Sequence, residues 1–200
     1  IGINKPILHL GRIHPDMLDT LSSTMVKCTI NTPEDVLVLE KYGKIEIRKY
    51  NSMVIAVTQV QKPYKSALNT GFRRIANYIF GGNSKEMNIA MTAPVVSTQI
   101  NSELETHEVF FVLPREHKFN ELPQPTTKNV QIKERKLSKV AAIKFGGWAT
   151  QIRVNKYQNQ LKNKLSNLGF DTSGNFMVAQ YNSPWAIPPF RKNEILIQIK

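Results

Sequence analysis

The spacing of apolar residues changes period twice along this chain, each time in the same order, and that repetition restricts the folds open to it. Residues 36–50 alternate through Val36, Val38, Ile45 and Ile47 around Tyr42-Gly43, which predicts two short strands with a turn, or one bent strand. Residues 53–60 (MVIAVTQV) follow as a strand rich in β-branched side chains. The period then lengthens. Tyr64, Leu68, Phe72, Ile75 and Ile79 recur at three and four residues, which predicts an amphipathic helix over 62–80. Pro63 suits its first turn, and Gly81-Gly82 suits its end. Residues 88–99 and 107–113 read as strands again, with Pro94 marking an edge or bulge.

A proline-bearing stretch, 114–127, reads as a linker, and the order restarts. Residues 130–135 and 139–145 predict strands, and Gly146-Gly147 breaks the chain. Val154, Tyr157, Leu161, Leu165 and Leu168 predict a second helix over 151–168, and 176–181 and 194–199 predict the closing strands. The unit β-β-α-β-β thus occurs at 36–113 and 129–199. Neither copy has strands enough to bury both faces of a sheet. The expected fold is therefore α+β: one domain over 36–200, a distorted antiparallel β-barrel of about eight main strands with two helices packed on it. Residues 1–35, with Pro6, Pro15 and Pro33, read as an irregular arm holding one short helix near 15–22. The order excludes a Rossmann fold, which needs alternating βαβ units.

Composition narrows the function classes. Apolar residues make up 41% of 200, enough for a core, and no apolar run approaches the roughly 18 residues of a membrane-spanning helix. Cys28 is alone, so an intrachain disulfide and a closed cysteine zinc site are both excluded. A lone cysteine favours a soluble, cytoplasmic protein, while a start at Ile1 leaves an export signal upstream open. The net charge of +12 is uneven, since residues 115–168 hold 12 basic residues against 3 acidic ones. Such a field attracts anions, either nucleic acid, an anionic membrane surface or a carboxylate-bearing ligand. No P-loop, GxSxG, HExxH or Cys-His arrangement is present, so no enzymatic activity is expected.

Several separated blocks resemble the SOUL haem-binding family: YGKIEIRKY, the helix ending in Gly81-Gly82-Asn83, MNIAMTAPV, VQIKERKL, KFGGWAT and YNSPWAIPPFRKNEILI, in that order over roughly 36–199. The resemblance implies two β-β-α-β-β repeats in a distorted barrel, and non-covalent binding of haem or a related tetrapyrrole. A related fold serves some bacterial transcription regulators as a small-molecule-binding domain. Haem needs an apolar wall, a cation or amide near its propionates and, optionally, an iron ligand. The first helix offers Leu68, Phe72 and Ala76 as wall and Arg73 as cation. Basic positions of relatives' proposed pocket fall on Asn69, Asn77 and Ile187 here, with Arg73, Arg74, Arg191 and Lys192 nearby. The histidines His9, His14, His107 and His117 belong to no haem-attachment motif, Met91 reads as core, and the metal ligand is left unassigned. Trp148 and Trp185 read as packing at sheet edges. The alternative function is an interaction or regulatory module that holds an anionic partner through 115–168.

Overall fold

In the computed structural model, which describes residues 36–182 and 186–200, the two period changes mark two helices on one antiparallel sheet. The expected arm over 1–35, with Cys28, His9 and His14, and the reading of Trp185 lie outside the described residues. In the first repeat, β1 (Val36–Tyr42), β2 (Ile45–Tyr50) and β3 (Met53–Gln61) lead into α1 (Tyr64–Ile79), followed by β4 (Val95–Asn101) and β5 (Thr106–Val112). The second repeat comprises β6 (Gln131–Arg135), β7 (Lys139–Gly146), α2 (Gln151–Asn167), β8 (Thr172–Gln180) and β9 (Lys192–Ile199).

The strands lie in the order β1-β2-β7-β9-β8-β4-β5-β3-β6. Apart from β1, this order is a palindrome of the two repeats. The last three strands of each repeat stay together, and the two trios meet where β4 pairs β8, Val95 opposite Gln180 through Thr98 opposite Met177. The leading strands are exchanged: β2 of the first repeat pairs β7 of the second, and β6 of the second pairs β3 of the first. The curl therefore stops short of closure, with β1 and β6 as edges. Nine strands form among the described residues rather than about eight, because 36–42 adds a separate edge strand to the eight of the repeats.

Period two sorts each strand's side chains between the two faces. Ile45, Ile47, Ala141, Ile143, Ile195 and Ile197 face α2, which buries Val154, Leu161 and Leu165 on them. Ala56, Val109 and Phe111 face α1 and receive Ile75, Tyr78 and Ile79. The other parity fills the concave side with Ile55, Val57, Phe110, Val112, Val140 and Leu196. Thr150 caps α2, its side-chain oxygen accepting from the Arg153 N–H, whereas α1 begins at Pro63 as N-cap without a side-chain cap. Gly81, at φ +99°, ends α1's last turn where a side chain would be strained.

Two expectations are corrected. The strand expected over 88–99 begins only at Val95, because Pro94 has no N–H for a ladder. Residues before it serve the core instead: Met91 is buried against α1, and the Thr92 hydroxyl donates to the Val112 carbonyl. The stretch 114–127 is not a free linker. Leu122 is buried, Tyr78 donates its hydroxyl to the Pro123 carbonyl at 3.0 Å, and Thr126 bonds Gly82. These contacts fasten the connection over the end of α1.

Gly71 sets how closely α1 approaches β5. A Cβ there would stand 2.6 Å from the Val109 Cβ, well inside contact distance. Gly71→Ala is expected to destabilise the protein by about 1–3 kcal/mol through overpacking, measured as a lowered urea midpoint with an unchanged m-value.

Candidate functional site

The residues expected to meet a ligand straddle the border of α1, with Leu68 and Phe72 packed on the margin of the core and Asn69, Arg73 and Asn77 in solvent. Leu68 and Phe72, one turn apart, are half-buried, and the Phe72 ring leans on Phe111 at 5.5 Å between centroids. Asn69, Arg73 and Asn77 form an exposed ridge beside them at spacings of four. Among the described residues Arg73 hydrogen-bonds only within its own helix, its Nε 3.4 Å from the Asn69 carbonyl, which leaves its two terminal nitrogens to an anion. Arg74 is not interchangeable with it, since it donates to the Gln59 carbonyl at 2.9 Å and to Thr58. Ala76 is buried and backs the face without reaching it. Asn77 sits over Gly82, where a side chain would strike it.

Ile187 lies elsewhere. It precedes a single 3-10 turn, Pro188–Phe190, which rests mainly on the end of β7. There Arg191 stacks on Trp148 at 3.6 Å, and Asn193 donates to the Gly147 carbonyl at 2.8 Å. Six of the seven expected residues therefore share one helix, and the seventh belongs to a loop that seats on the other repeat.

An apolar surface and one free cation suit the edge of a tetrapyrrole and one of its carboxylates. They do not supply an iron ligand. His107 is covered by Tyr64, ring to ring at 5.8 Å, and Met91 is in the core. Among the described residues, no three of His, Cys, Asp and Glu converge to hold a metal.

The sheet's concave side holds a feature the sequence reading missed. Tyr50, Met53, Phe110, Leu137, Met177 and Tyr181 line an apolar crease of about 350 Å³, solvent-open space included. Beside it Arg48, 3% exposed, grips both oxygens of Glu194 at 2.7 and 2.9 Å. It also binds Glu46 at 2.7 and 2.9 Å and the Tyr50 hydroxyl at 3.1 Å. Tyr181 donates to Glu194 at 2.6 Å, and Lys144 to Glu46 at 3.0 Å. Burial alone would lower the Arg48 pKa, but its bonds to Glu194 outweigh that and hold it charged. Burial would likewise raise Glu46, and Arg48 and Lys144 reverse the sign, keeping its carboxyl below the usual range. Burial, reinforced by the Glu194 charge, pushes the Tyr181 hydroxyl well above its ordinary value. Each of the two acids is thus paired with a cation, Glu194 with Arg48 and Glu46 with Arg48 and Lys144. The network joins β2, β7 and β9. One signal in the sequence marks it: Glu46, Arg48 and Tyr50 alternate with Ile45 and Ile47, so the strand has a second face that must also be buried.

A shallower groove of about 770 Å³, solvent included, lies beyond Tyr50 and is lined by Leu39, Lys49, Lys136, Ser138 and Lys139. Lys49 and Lys139 stand directly opposite each other across β2 and β7.

A curled sheet of two repeats that exchange their leading strands, each with a helix on its outer side, defines a two-repeat α+β half-barrel. Residues 31–198 match the SOUL heme-binding protein family, and the chain belongs to it. Heme-binding protein 2 of Homo sapiens is 35% identical over 167 residues, which cover 78% of each chain. Heme-binding protein 1 of Xenopus laevis is 30% identical over 165 residues, covering 78% of this chain and 84% of that one. Among solved structures, the EcmrR C-terminal domain superposes with a TM-score of 0.62 at 12% identity, covering 78% of this chain and 96% of that one. A hydrolase from Listeria innocua superposes at 0.58 with 9% identity, covering 78% and 92%. At those identities the likeness is one of fold.

Two outcomes are expected from these environments. Arg48→Met should destabilise by about 3–5 kcal/mol, because Glu194 is left buried and unpaired, and the Arg48→Met/Glu194→Leu double variant should recover most of that in urea unfolding. His107 is held below the ordinary histidine range by burial, which Glu105 only partly offsets. The unfolded chain therefore takes up a proton near pH 6.5 that the folded one refuses, and stability falls as pH drops below about 6.5. In urea titrations between pH 7 and 5, His107→Leu should flatten that decline.

Proposed function

We propose that this protein binds haem or a related planar, amphipathic tetrapyrrole, non-covalently and without catalysis, on the exposed face of α1. The observation that carries the reading is the pairing on one helix face of half-buried Leu68 and Phe72 with the unengaged guanidinium of Arg73. The disc would lie over Leu68 and Phe72, and Arg73 would hold a propionate. Asn69 and Asn77 would offer amide groups on the same ridge in place of charge. Ile187 would join only if its loop moved toward α1, so it is the weakest member of the set. With no histidine on this face, the contacts would be made to the macrocycle and its carboxylates rather than to iron. A reducing, cytoplasmic setting suits the lone cysteine. Among the described residues no helix is long and apolar enough to cross a membrane.

A second reading, attraction of an anionic partner to the basic 115–168 segment, has one structural observation in its favour. Lys136 and Lys139 of that segment line a groove with Lys49, and none of the three has a carboxylate within ion-pair distance among the described residues. Like charges facing each other across a strand pair oppose folding, and a bound anion relieves that.

Haemin titration of the full chain, followed at the Soret band, should saturate with a shifted maximum. Phe72→Ala and Arg73→Glu should each weaken binding by about tenfold, the size expected for one lost ring contact or one charge-assisted bond. Adsorption that never saturates, or saturable binding indifferent to both substitutions, would remove α1 as the site.

A further inference from the structure

Among the described residues the three most exposed large apolar side chains are Ile152 at 83%, Phe190 at 69% and Ile187 at 59%, and Trp148, at 50%, lies with them, whereas Leu37 and Leu104 stand apart on other elements. Scattered singly they would need no explanation, but they gather at one end of the molecule. Trp148 follows the Gly146-Gly147 turn that ends β7, and Ile152 is in the first turn of α2, two residues after its Thr150 cap. Ile187 and Phe190 flank the Pro188–Phe190 turn, closed by the Phe190 N–H on the Ile187 carbonyl. Arg191 fastens the two loops by stacking on Trp148, and Gly146 pairs with Lys192 across β7 and β9. Further bonds brace the tip: Arg153 to the Gly146 carbonyl at 2.7 Å, and Asn193 to Gly147. Four bulky apolar groups are thus presented to solvent by a rigid support.

From Arg135 to Phe170 the chain has no Asp or Glu and carries eight Lys and Arg. Arg135, Lys136 and Lys139 lie on β6 or at the start of β7, away from the tip, so the cations that flank it come from the first turns of α2 and from β9. Lys156, on α2 one turn beyond Ile152, and Lys192, beside Phe190, are both exposed. The nearest acid on the loop side, Glu194, is buried and consumed by Arg48 and Tyr181. Tryptophan, phenylalanine and isoleucine flanked by the exposed Arg153, Lys156 and Lys192 match the two layers of an anionic bilayer interface, where aromatic rings sit at headgroup depth and cations meet lipid phosphates and carboxylates.

We propose that the tip formed by Trp148, Ile152, Ile187 and Phe190 inserts shallowly into the surface of an anionic phospholipid membrane. The tip lies at the opposite end of β7 from the groove of Lys49, Lys136 and Lys139, so the proposal stands apart from that groove, and it does not depend on haem binding.

The test uses the full chain with Trp185→Phe, which leaves Trp148 as sole tryptophan. Vesicles of phosphatidylcholine with about 30% phosphatidylserine should co-sediment the protein and shift Trp148 emission to the blue, and lipids brominated near the headgroup should quench it. Pure phosphatidylcholine should bind far less. Ile152→Ser with Phe190→Ser, both at exposed positions, should lower the partition coefficient at least tenfold while leaving circular dichroism unchanged. Lys118→Gln with Lys128→Gln, which removes two charges elsewhere, should leave it within about twofold.

Binding without any change in Trp148 emission would overturn insertion by the tip while the anionic-partner reading stood. Absence of binding to either vesicle would overturn the membrane as the partner of the tip. A dimer in solution that Ile152→Ser with Phe190→Ser converts to monomer would also overturn the proposal, because a second copy would then cover the tip.

Discussion

The bidentate grip of Arg48 on Glu194 is possible only because the repeats exchange their first strands. Arg48 lies on β2, of the first repeat, and Glu194 on β9, of the second, with β7 between them. Were β2 to stay with its own repeat beside β3, the guanidinium would keep only Glu46 of its own strand and lose the bidentate partner on β9. A one-residue slip of β2 on β7 would carry Arg48 to the face of α2 and expose Ile45 and Ile47. The ion pair contributes little net stability, since removing two charges from water offsets most of their attraction. Its effect is to penalise wrong registers, and the apolar faces on both sides of β2 depend on the right one.

The sequence displayed the elements better than their pairing. Hydrophobic period located both helices and most strands, because period depends on neighbours within reach along the chain. The strand expected from Asn88 failed at one place, where a β-rich run is interrupted by Pro94 and buries Met91 and Thr92 without joining the ladder. The stretch after Pro114 reads as a linker by composition, yet Leu122 and Pro123 fold back on Tyr78, a contact spanning 45 residues that no local pattern records. The exchange of leading strands was equally hidden, since either pairing satisfies the same alternation.

The candidate site divides in the same way. Leu68, Asn69, Phe72, Arg73 and Asn77 are three to five residues apart or adjacent on one helix, so their common face follows from helical geometry alone. Ile187 entered through resemblance, and the fold seats it with Trp148 and the start of α2. Distinguishing Arg73 from Arg74 required the structure too: consecutive on the helix, one is free and the other is bound to β3.

The palindromic strand order also has a consequence for synthesis on the ribosome. When the first repeat has emerged, β3, α1, β4 and β5 can assemble, but β2 has no partner trio to join and β3 still lacks β6. Both arrive only with the following residues, and β2 cannot complete its pairing until β7 is available, nor Arg48 meet its acid until β9 emerges at the far end of the chain. Contacts of such long sequence separation form slowly. A half-made chain therefore exposes one strand with a buried-type cation on it, and an unpaired edge, for as long as the second half takes to be translated.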